Sequence, residues 1–484
     1  MLMKPKKNNP SKIKTPPTAK ANTRGNNKET RLPESLRQVN LNAAGIDVHP
    51  TELWVAVPSD RDTKPVRRFG TFTSDLEQMA DWLLACGLTT VAMESTGIYW
   101  IPPFQVLERR GLDMKLVNAR HVKNVTGRKG DISDCQWLQQ LHTFGLLRNS
   151  FRPTDQVCVL RSYLRLRDEL MRARSRQILH LQKALHQMNV QLHHVLSDIT
   201  GASGQAILRA IVEGQRDPVR LAGMVDKRVR ASQDKIVRAL AGDYREEHLF
   251  ALQIALELYD EYTRKITTCD ERILAYLSSL ESKVDLKEKP LPAPKASLAK
   301  KAKSNPTSQG ALEVRAQIYR VSGVDLTAIE GIGAQTAQIV MSEIGWDLSR
   351  FPSEKHFTSW LALCPDHRIS AGKILSRQTR HAPNRAANAL RLAASTLEQS
   401  PSALGNYFRR MKGKLGATSA ITATAHKLAR IVYRLIKHGE AYVALGQQEE
   451  EQRYRERRLY NLRRNAARLG FELIEKQGHA KPVS

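Results

Sequence analysis

The rhythm of apolar and polar positions changes several times along this chain. Up to about residue 40 there is none. "KPKKNNPSKIKTPPTAKANTRGNN" is rich in Lys, Pro, Asn and Thr, cannot bury enough apolar surface to fold, and predicts a disordered basic arm over 1–40. From residue 41 short apolar runs appear. "AAGIDVHP" and "ELWVAVPS" predict two strands about a turn, and "RRFGTFTS" a third. "DLEQMADWLLACG" spaces its apolar residues by three and four, which predicts a helix. "TTVAMEST" then predicts a buried strand, "WIPPFQVLERRG" a helix and "DMKLVNA" another strand. Strands followed by alternating helix and strand predict an α/β domain with a mixed sheet over 41–154.

Beyond residue 155 the period becomes helical. Ile178, Leu181, Leu185, Met188, Leu192, Leu196 and Ile199 recur as a heptad-like seam, and a second amphipathic pattern runs from Tyr244 to Leu280. Together they predict a helical coiled-coil region over 155–286, built as an antiparallel arm or a dimer interface. The first helix carries Arg161, Arg165, Arg167, Arg172, Arg174 and Arg176. These are either a solvated face or phosphate contacts. A Pro-, Ala- and Lys-rich stretch predicts a linker over 287–311. A helical domain over 312–446 and a charged helical tail over 447–484 follow.

Charge changes what this layout is for. Lys and Arg number 76 against 48 Asp and Glu, a formal charge of +28. That excess, spread along the whole chain, points to nucleic acid as the partner. The five cysteines show no paired spacing, so a zinc ribbon or disulfide framework is not expected and a cytoplasmic setting is. No apolar run is long enough to span a bilayer, so no membrane partner is expected.

Against this basic background the acids are conspicuous. Asp47 in "GIDVH" and Glu94 in "VAMESTG" end predicted strands, and Asp131 and Asp134 in "RKGDISDCQWL" open a predicted helix. Strand ends form the rim of an α/β sheet, where active sites gather. Residues i and i+3 share a helix face. Four carboxylates meeting there would repel one another unless a hard cation such as Mg²⁺, which prefers oxygen ligands, neutralised them. Each acid alone reads equally as a turn former or cap. Acid, acid and D-x-x-D in this order are what is expected of a ribonuclease-H-like nuclease fold.

A second set lies further on. Gly331 and Gly333 in "IEGIGAQTAQIVMSEIG" resemble the loop of a helix-hairpin-helix, where glycines let backbone N–H groups approach a phosphate. Ser370 follows in a small turn with Arg368, Lys373, Arg377 and Arg380 around it. From spacing alone it is either a turn serine among phosphate-binding residues or a nucleophile activated by a basic loop.

Taken in order, "GIDVH", "AMESTGIYW", "RKGDISDCQWL", "IEGIGAQTAQIVMSEIG", "RFPSEKHFTSWLALCPDHRISAGK" and "NRAANALRLAA" resemble the DEDD transposases of the IS one-ten family, which are similar to the Piv/MooV DNA invertases. The resemblance runs from about residue 41 to 446. It implies a RuvC-like N-terminal domain in which Asp47, Glu94, Asp131 and Asp134 bind Mg²⁺. It implies a mostly α-helical C-terminal transposase domain with Ser370 as nucleophile and a covalent phosphoserine link to DNA. It further implies a structured non-coding bridge RNA that directs the protein to donor and target DNA, and dimers that pair into a tetramer. This chain has Ser370-Ala371-Gly372 where the family often has Ser-Gly-Gly, and Cys135 where Ala is common. The alternatives are a RuvC-like nuclease that cuts by metal-activated water without a covalent intermediate, and a catalytically silent nucleic-acid-binding regulator.

Overall fold

The structure is a computed structural model that describes residues 37–118, 131–294, 306–371, 373–376, 378–380 and 384–439, and parts of the tail between 452 and 473. Most of the basic arm, Arg377 and the side chains of Asp131 and Arg368 lie outside the described residues. The chain forms two compact units, one ending at Arg152 and one beginning at Pro153.

The first unit is a five-stranded sheet with helices on both faces. Its elements are β1 (Ala43–Val48), β2 (Glu52–Ala56), β3 (Val66–Gly70), α1 (Thr73–Ala85), β4 (Thr90–Glu94), α2 (Ile101–Arg109), β5 (Asp113–Val117) and α3 (Asp131–Thr143). The sheet order is β3-β2-β1-β4-β5. β2 pairs antiparallel with β1 and β3, while β4 runs parallel to β1 and β5. This mixed sheet is the one the strand pattern predicts, and it fits a ribonuclease-H-like domain. The third strand stops at Gly70 because the following residues start α1, whose Asp75 carboxylate accepts from the Phe72 N–H at 3.2 Å. All six residues of β1 are buried, as a central strand covered on both faces must be.

Alternation sorts the strand residues between those faces. Ala44, Ile46, Val48, Val91, Met93, Met114 and Leu116 join Leu76, Met79 and Leu83 of α1 and Phe104 and Leu107 of α2 in one core. Ala92 and Val117 turn the other way and pack with Trp137 and Leu138 of α3.

The second unit opens with α4 (Asp155–Gln187), about 50 Å long at 1.5 Å per residue. It pairs with α8 (Glu246–Ser279). Tyr163 meets Tyr276 at 5.8 Å between ring centroids, Arg167 binds Asp270 at 2.5 Å, and Arg174 lies over Tyr259. Rising numbers on one helix meet falling numbers on the other, so the two helices run antiparallel.

The heptad-like seam does not continue as one helix. α4 ends at Gln187, and Asn189 takes φ +53°, reversing the chain. Leu192, Leu196 and Ile199 instead join a compact cap on the far end of the pair. That cap contains α5 (Ala202–Val212), α6 (Pro218–Ala222) and α7 (Gln233–Leu240). Apolar side chains at steps of three and four suit a helix, and they suit a short helical cluster equally well.

The arginines of α4 also resolve into a third role. Arg161 and Arg165 bind the carboxylate of Glu343 at 3.2 and 2.9 Å, and Arg167 is taken by Asp270. Three of the six are therefore committed to acids of the fold, although the Arg165 side chain keeps 47% of its surface exposed.

The remainder is α9 (Pro306–Ser322), α10 (Ala334–Ile344), α11 (Glu354–Trp360), the hairpin β6 (Arg368–Ser370) and β7 (Lys373–Ser376), α12 (Arg385–Thr396), α13 (Ala403–Leu415) and α14 (Ala417–His438). α9 starts inside the stretch read as linker. The buried Arg315 on it donates to the Pro292 carbonyl at 2.9 Å and binds Asp325 at 2.5 Å. The described part of that Pro-rich stretch is thus held against the helical domain. Among the described residues no helix is long and apolar enough to cross a membrane.

Candidate carboxylate site and serine hairpin

The register of the parallel strands sets the first half of the carboxylate site. Gly45 lies opposite Ala92 and Ile46 opposite Met93. One residue further, Asp47 and Glu94 come side by side at the C-terminal rim. Both belong to the face of the sheet that carries Gly45 and Ala92, against which α3 packs.

Gly45 is why α3 can come so close. A Cβ at this position would overlap the backbone of Gln139 and of Cys135. A helix that touches a strand through a bare Cα brings its own first turn down to the rim. Its direction follows from two points. His142, near its end, meets Thr90 at the start of β4 (2.9 Å), and residues 135–139 lie over Gly45. A helix rises about 1.5 Å per residue and a strand about 3.3 Å, so two strand residues match roughly four helical ones. Asp131 and Asp134 therefore start α3 at the level of Asp47 and Glu94.

Electrostatics registers the same convergence. The buried thiol of Cys135 is pushed up to about 12, first by burial and then by the carboxylates of Asp47 and Asp134. Asp47 is itself buried, at 8% exposure, and its Oδ2 is 3.1 Å from Nε2 of His49. The Thr96 hydroxyl donates to Glu94 at 3.2 Å. The oxygen-rich set suits a hard divalent cation. Among the described residues no three acidic, imidazole or thiol groups are drawn tightly enough to share an ion. The side chain of Asp131, the fourth member, lies outside them. His49 and Gly45 were not singled out from the sequence. His49 was legible two residues after Asp47 in "GIDVH", whereas the role of Gly45 needs the packed helix.

His142 anchors the other end of α3. The Thr90 hydroxyl gives its proton to the Asp113 carbonyl at 2.8 Å. It must therefore accept from the imidazole, which fixes the hydrogen on Nε2. Burial, helped by the Lys115 ammonium, lowers the pKa of His142 to about 4. The unfolded imidazole titrates near 6.5 and binds the proton first, so the stabilising contribution is complete above pH 6.5 and is lost as pH falls towards 4. At about 1.4 kcal/mol per pH unit the loss is of order 3 kcal/mol. The thermal midpoint of the first unit should fall over that window, and His142→Gln should flatten the fall. Parallel pH profiles for the two proteins would refute the assignment.

In the second unit, Ser370 ends β6 opposite Lys373 of β7, and Ala371 follows it in the turn. A two-residue hairpin turn wants positive φ at its first position. Ala371 has φ +47°, the left-handed region in which glycine is at ease. Ser370 and Lys373 are exposed at this tip. The hairpin base is held by the Pro365–Thr379 bridge and by the Asp366 N–H donating to the Gln378 carbonyl at 2.8 Å. Arg380 serves this base, since its guanidinium donates to the carbonyl and hydroxyl of Ser359. Downstream, Arg385 at the start of α12 binds Asp168 of α4 at 2.5 Å and Glu343 of α10 at 3.4 Å. The nearest other serine, Ser376, has its hydroxyl engaged by the Gln378 N–H at 3.3 Å.

The two glycines before α10 divide their roles. Gly331 has φ +84°, and a Cβ there would press on Leu397 and the Ala393 carbonyl. Packing against α12 demands that glycine. Gly333 precedes α10 directly and has nothing within 4 Å of a Cβ, so it leaves the helix N-terminus open to an approaching group.

A mixed sheet of this order fits a ribonuclease-H-like domain. Two models built on transposases match the chain, one over residues 44–190 and one, described as the transposase IS116/IS110/IS902 family, over residues 325–409. The chain belongs to that family of transposases, enzymes that act on DNA. No curated protein matches it.

Proposed function

We propose that this transposase exchanges strands between donor and target DNA with Ser370 as its nucleophile, while Asp47, Glu94, Asp131 and Asp134 hold Mg²⁺. A structured RNA encoded with the element guides it, and the chain works as a homo-oligomer, a dimer that pairs into a tetramer. The observation that carries the carboxylate half is the alignment of Asp47 with Glu94 on the face occupied by α3, whose first turn bears Asp131 and Asp134. The serine half is supported by the exposed position of Ser370 at a hairpin tip beside Lys373. The RNA and the oligomer rest on the family resemblance and, for RNA, on the charge of +28.

When bound, the cation would withdraw charge from a phosphate oxygen and ease ionisation of a hydroxyl. In the chemical step the Ser370 oxygen forms a bond to phosphorus as the bond to a deoxyribose oxygen breaks. The hydroxyl proton passes to that leaving oxygen. One phosphodiester replaces another, so rejoining needs no nucleotide cofactor. Arg368, Lys373 and Arg377 would hold the non-bridging oxygens, and an arginine does so through paired hydrogen bonds.

Denaturing the protein during strand exchange should trap a protein–DNA adduct whose phosphorylated peptide contains Ser370. Ser370→Ala should bind DNA normally and form no adduct. A phosphorylated Ser376, or efficient cleavage by Ser370→Ala, would point to another serine or to metal-activated water. Full strand exchange by protein stripped of RNA would remove the guide from the proposal.

A further inference from the structure

Between Glu94 and Glu108 the sequence carries no charged side chain, although 26% of the chain is charged. This neutral stretch begins at the acid rim. The Ser95 N–H donates to the Val117 carbonyl at 2.9 Å. The Thr96 hydroxyl donates to Glu94, and the Tyr99 N–H to the Thr96 carbonyl, at 3.2 Å each. Gly97 takes φ +53° between them and bends the chain back on itself. Trp100 then packs against the core of the first unit, meeting Phe104 edge to face at 5.6 Å. The turn is therefore tied down at both ends.

What the turn leaves outside is apolar. Ile98 is 71% exposed and Tyr99 45%. A single exposed apolar side chain needs no explanation. Two adjacent ones, on a held turn that hydrogen-bonds a rim carboxylate, call for one. Neither attracts phosphate, so the charge of a DNA backbone does not account for them. Their natural contact is the apolar part of a nucleotide, above all the face of its base. In an intact duplex those faces are stacked on one another and closed. Strand exchange opens them, because a strand that changes duplex must first leave its old partner.

We propose that Ile98 and Tyr99 form a stacking platform for an unpaired DNA base beside the carboxylate rim. Tyr99 supplies the ring on which the base stacks, and Ile98 flanks it as an apolar wedge against the neighbouring base step. The platform holds the melted strand open while the rim holds its phosphate. The inference rests on the reading of the rim as a site of strand exchange and adds a base contact to it. DNA is the occupant because the chain belongs to a transposase family. Contact through a ring and an aliphatic side chain selects unpaired over paired DNA and carries little sequence preference. Unlike a phosphate contact, it releases no counterions.

The test compares the full wild-type chain, with any RNA it retains on purification, with Tyr99→Ala, Tyr99→Phe and Ile98→Ala. The probes are two labelled duplexes of equal length, one fully paired and one mismatched at its centre. The mismatched duplex carries the fluorescent base 2-aminopurine among its unpaired positions. Wild type should bind the mismatched duplex more tightly, and stacking should quench the fluorescent base. Tyr99→Ala should lose roughly tenfold in affinity for that duplex and none for the paired one, and should leave the base bright. Ile98→Ala should lose affinity in the same direction. Tyr99→Phe should match wild type, since the ring and not the hydroxyl makes the contact. The slope of log affinity against log salt should be the same in every protein. Both residues are exposed, so thermal midpoints should stay at the wild-type value. Any rise in midpoint that Mg²⁺ gives should be unchanged too, which reports the carboxylates separately. Binding is read before any strand is cut, so a failure of the Ser370 chemistry leaves this result standing. In strand exchange, Tyr99→Ala should be slow on paired DNA and recover on DNA mismatched at the cut. Equal affinity and equal quenching in wild type and Tyr99→Ala overturn the proposal. So does an equal loss on paired and mismatched DNA, or a loss confined to structured RNA, which would assign the pair to that partner.

Discussion

Asp47→Asn should reduce strand exchange at least a hundredfold, the scale expected when charge stabilisation at a reacting phosphate is lost. It should do so without unfolding the first unit. Asp47 is a buried carboxylate beside Glu94 and Asp134, so neutralising it relieves like-charge repulsion and removes a desolvation cost. The thermal midpoint without divalent cation should stay level or rise despite the loss of the His49 contact. A second readout needs no activity. If the rim binds Mg²⁺, millimolar Mg²⁺ should raise the wild-type midpoint by linkage, and Asp47→Asn or Asp131→Ala/Asp134→Ala should abolish that rise. Wild-type exchange by the double variant, or an equal Mg²⁺ shift in all proteins, would end the carboxylate proposal.

Gly45→Ala should be the most damaging single methyl in the first unit. The added Cβ would overlap main-chain atoms of Cys135 and Gln139, and a main chain inside a helix cannot rotate aside as a side chain can. Overpacking of a core typically costs 1–3 kcal/mol, and this position should lie at or above the top of that range. For a domain of this size that corresponds to a fall of about 10 °C or more in thermal midpoint. The same displacement should lift α3 and pull Asp134 away from Asp47. Activity should therefore be lost even at a temperature where the variant is folded. Ala43→Gly, two residues earlier on the same buried strand, is the control: it removes a methyl and should leave Mg²⁺ binding intact. A Gly45→Ala protein with a wild-type midpoint and activity would show that the helix does not approach the strand as closely as described.

The strands and helices of the first unit were legible because each is short, its apolar runs are bounded by turn residues, and its alternation survives into the fold. Asp47 and Glu94 could be placed at strand ends for the same reason. The second unit was legible in outline only. Leu192, Leu196 and Ile199 continue a helical period past the point where Asn189 turns the chain, and nothing in local spacing separates a longer helix from a folded cap. Arg161, Arg165 and Arg167 looked like a cationic face because their partners, Glu343 and Asp270, lie more than a hundred residues away.

By itself, then, the sequence determined the kinds of element, their order, the excess of positive charge and the identity of the acids. These depend on near neighbours and on composition, which a linear chain carries openly. The tertiary structure decided which of these residues meet. It put Asp47 level with Glu94 through a strand register and laid the first turn of α3 over them through a missing side chain at Gly45. It also turned Gly331 into a packing residue and made Arg380 a brace for the serine hairpin. Each of those outcomes depends on distances between residues far apart in the chain, which close packing fixes and local preference does not.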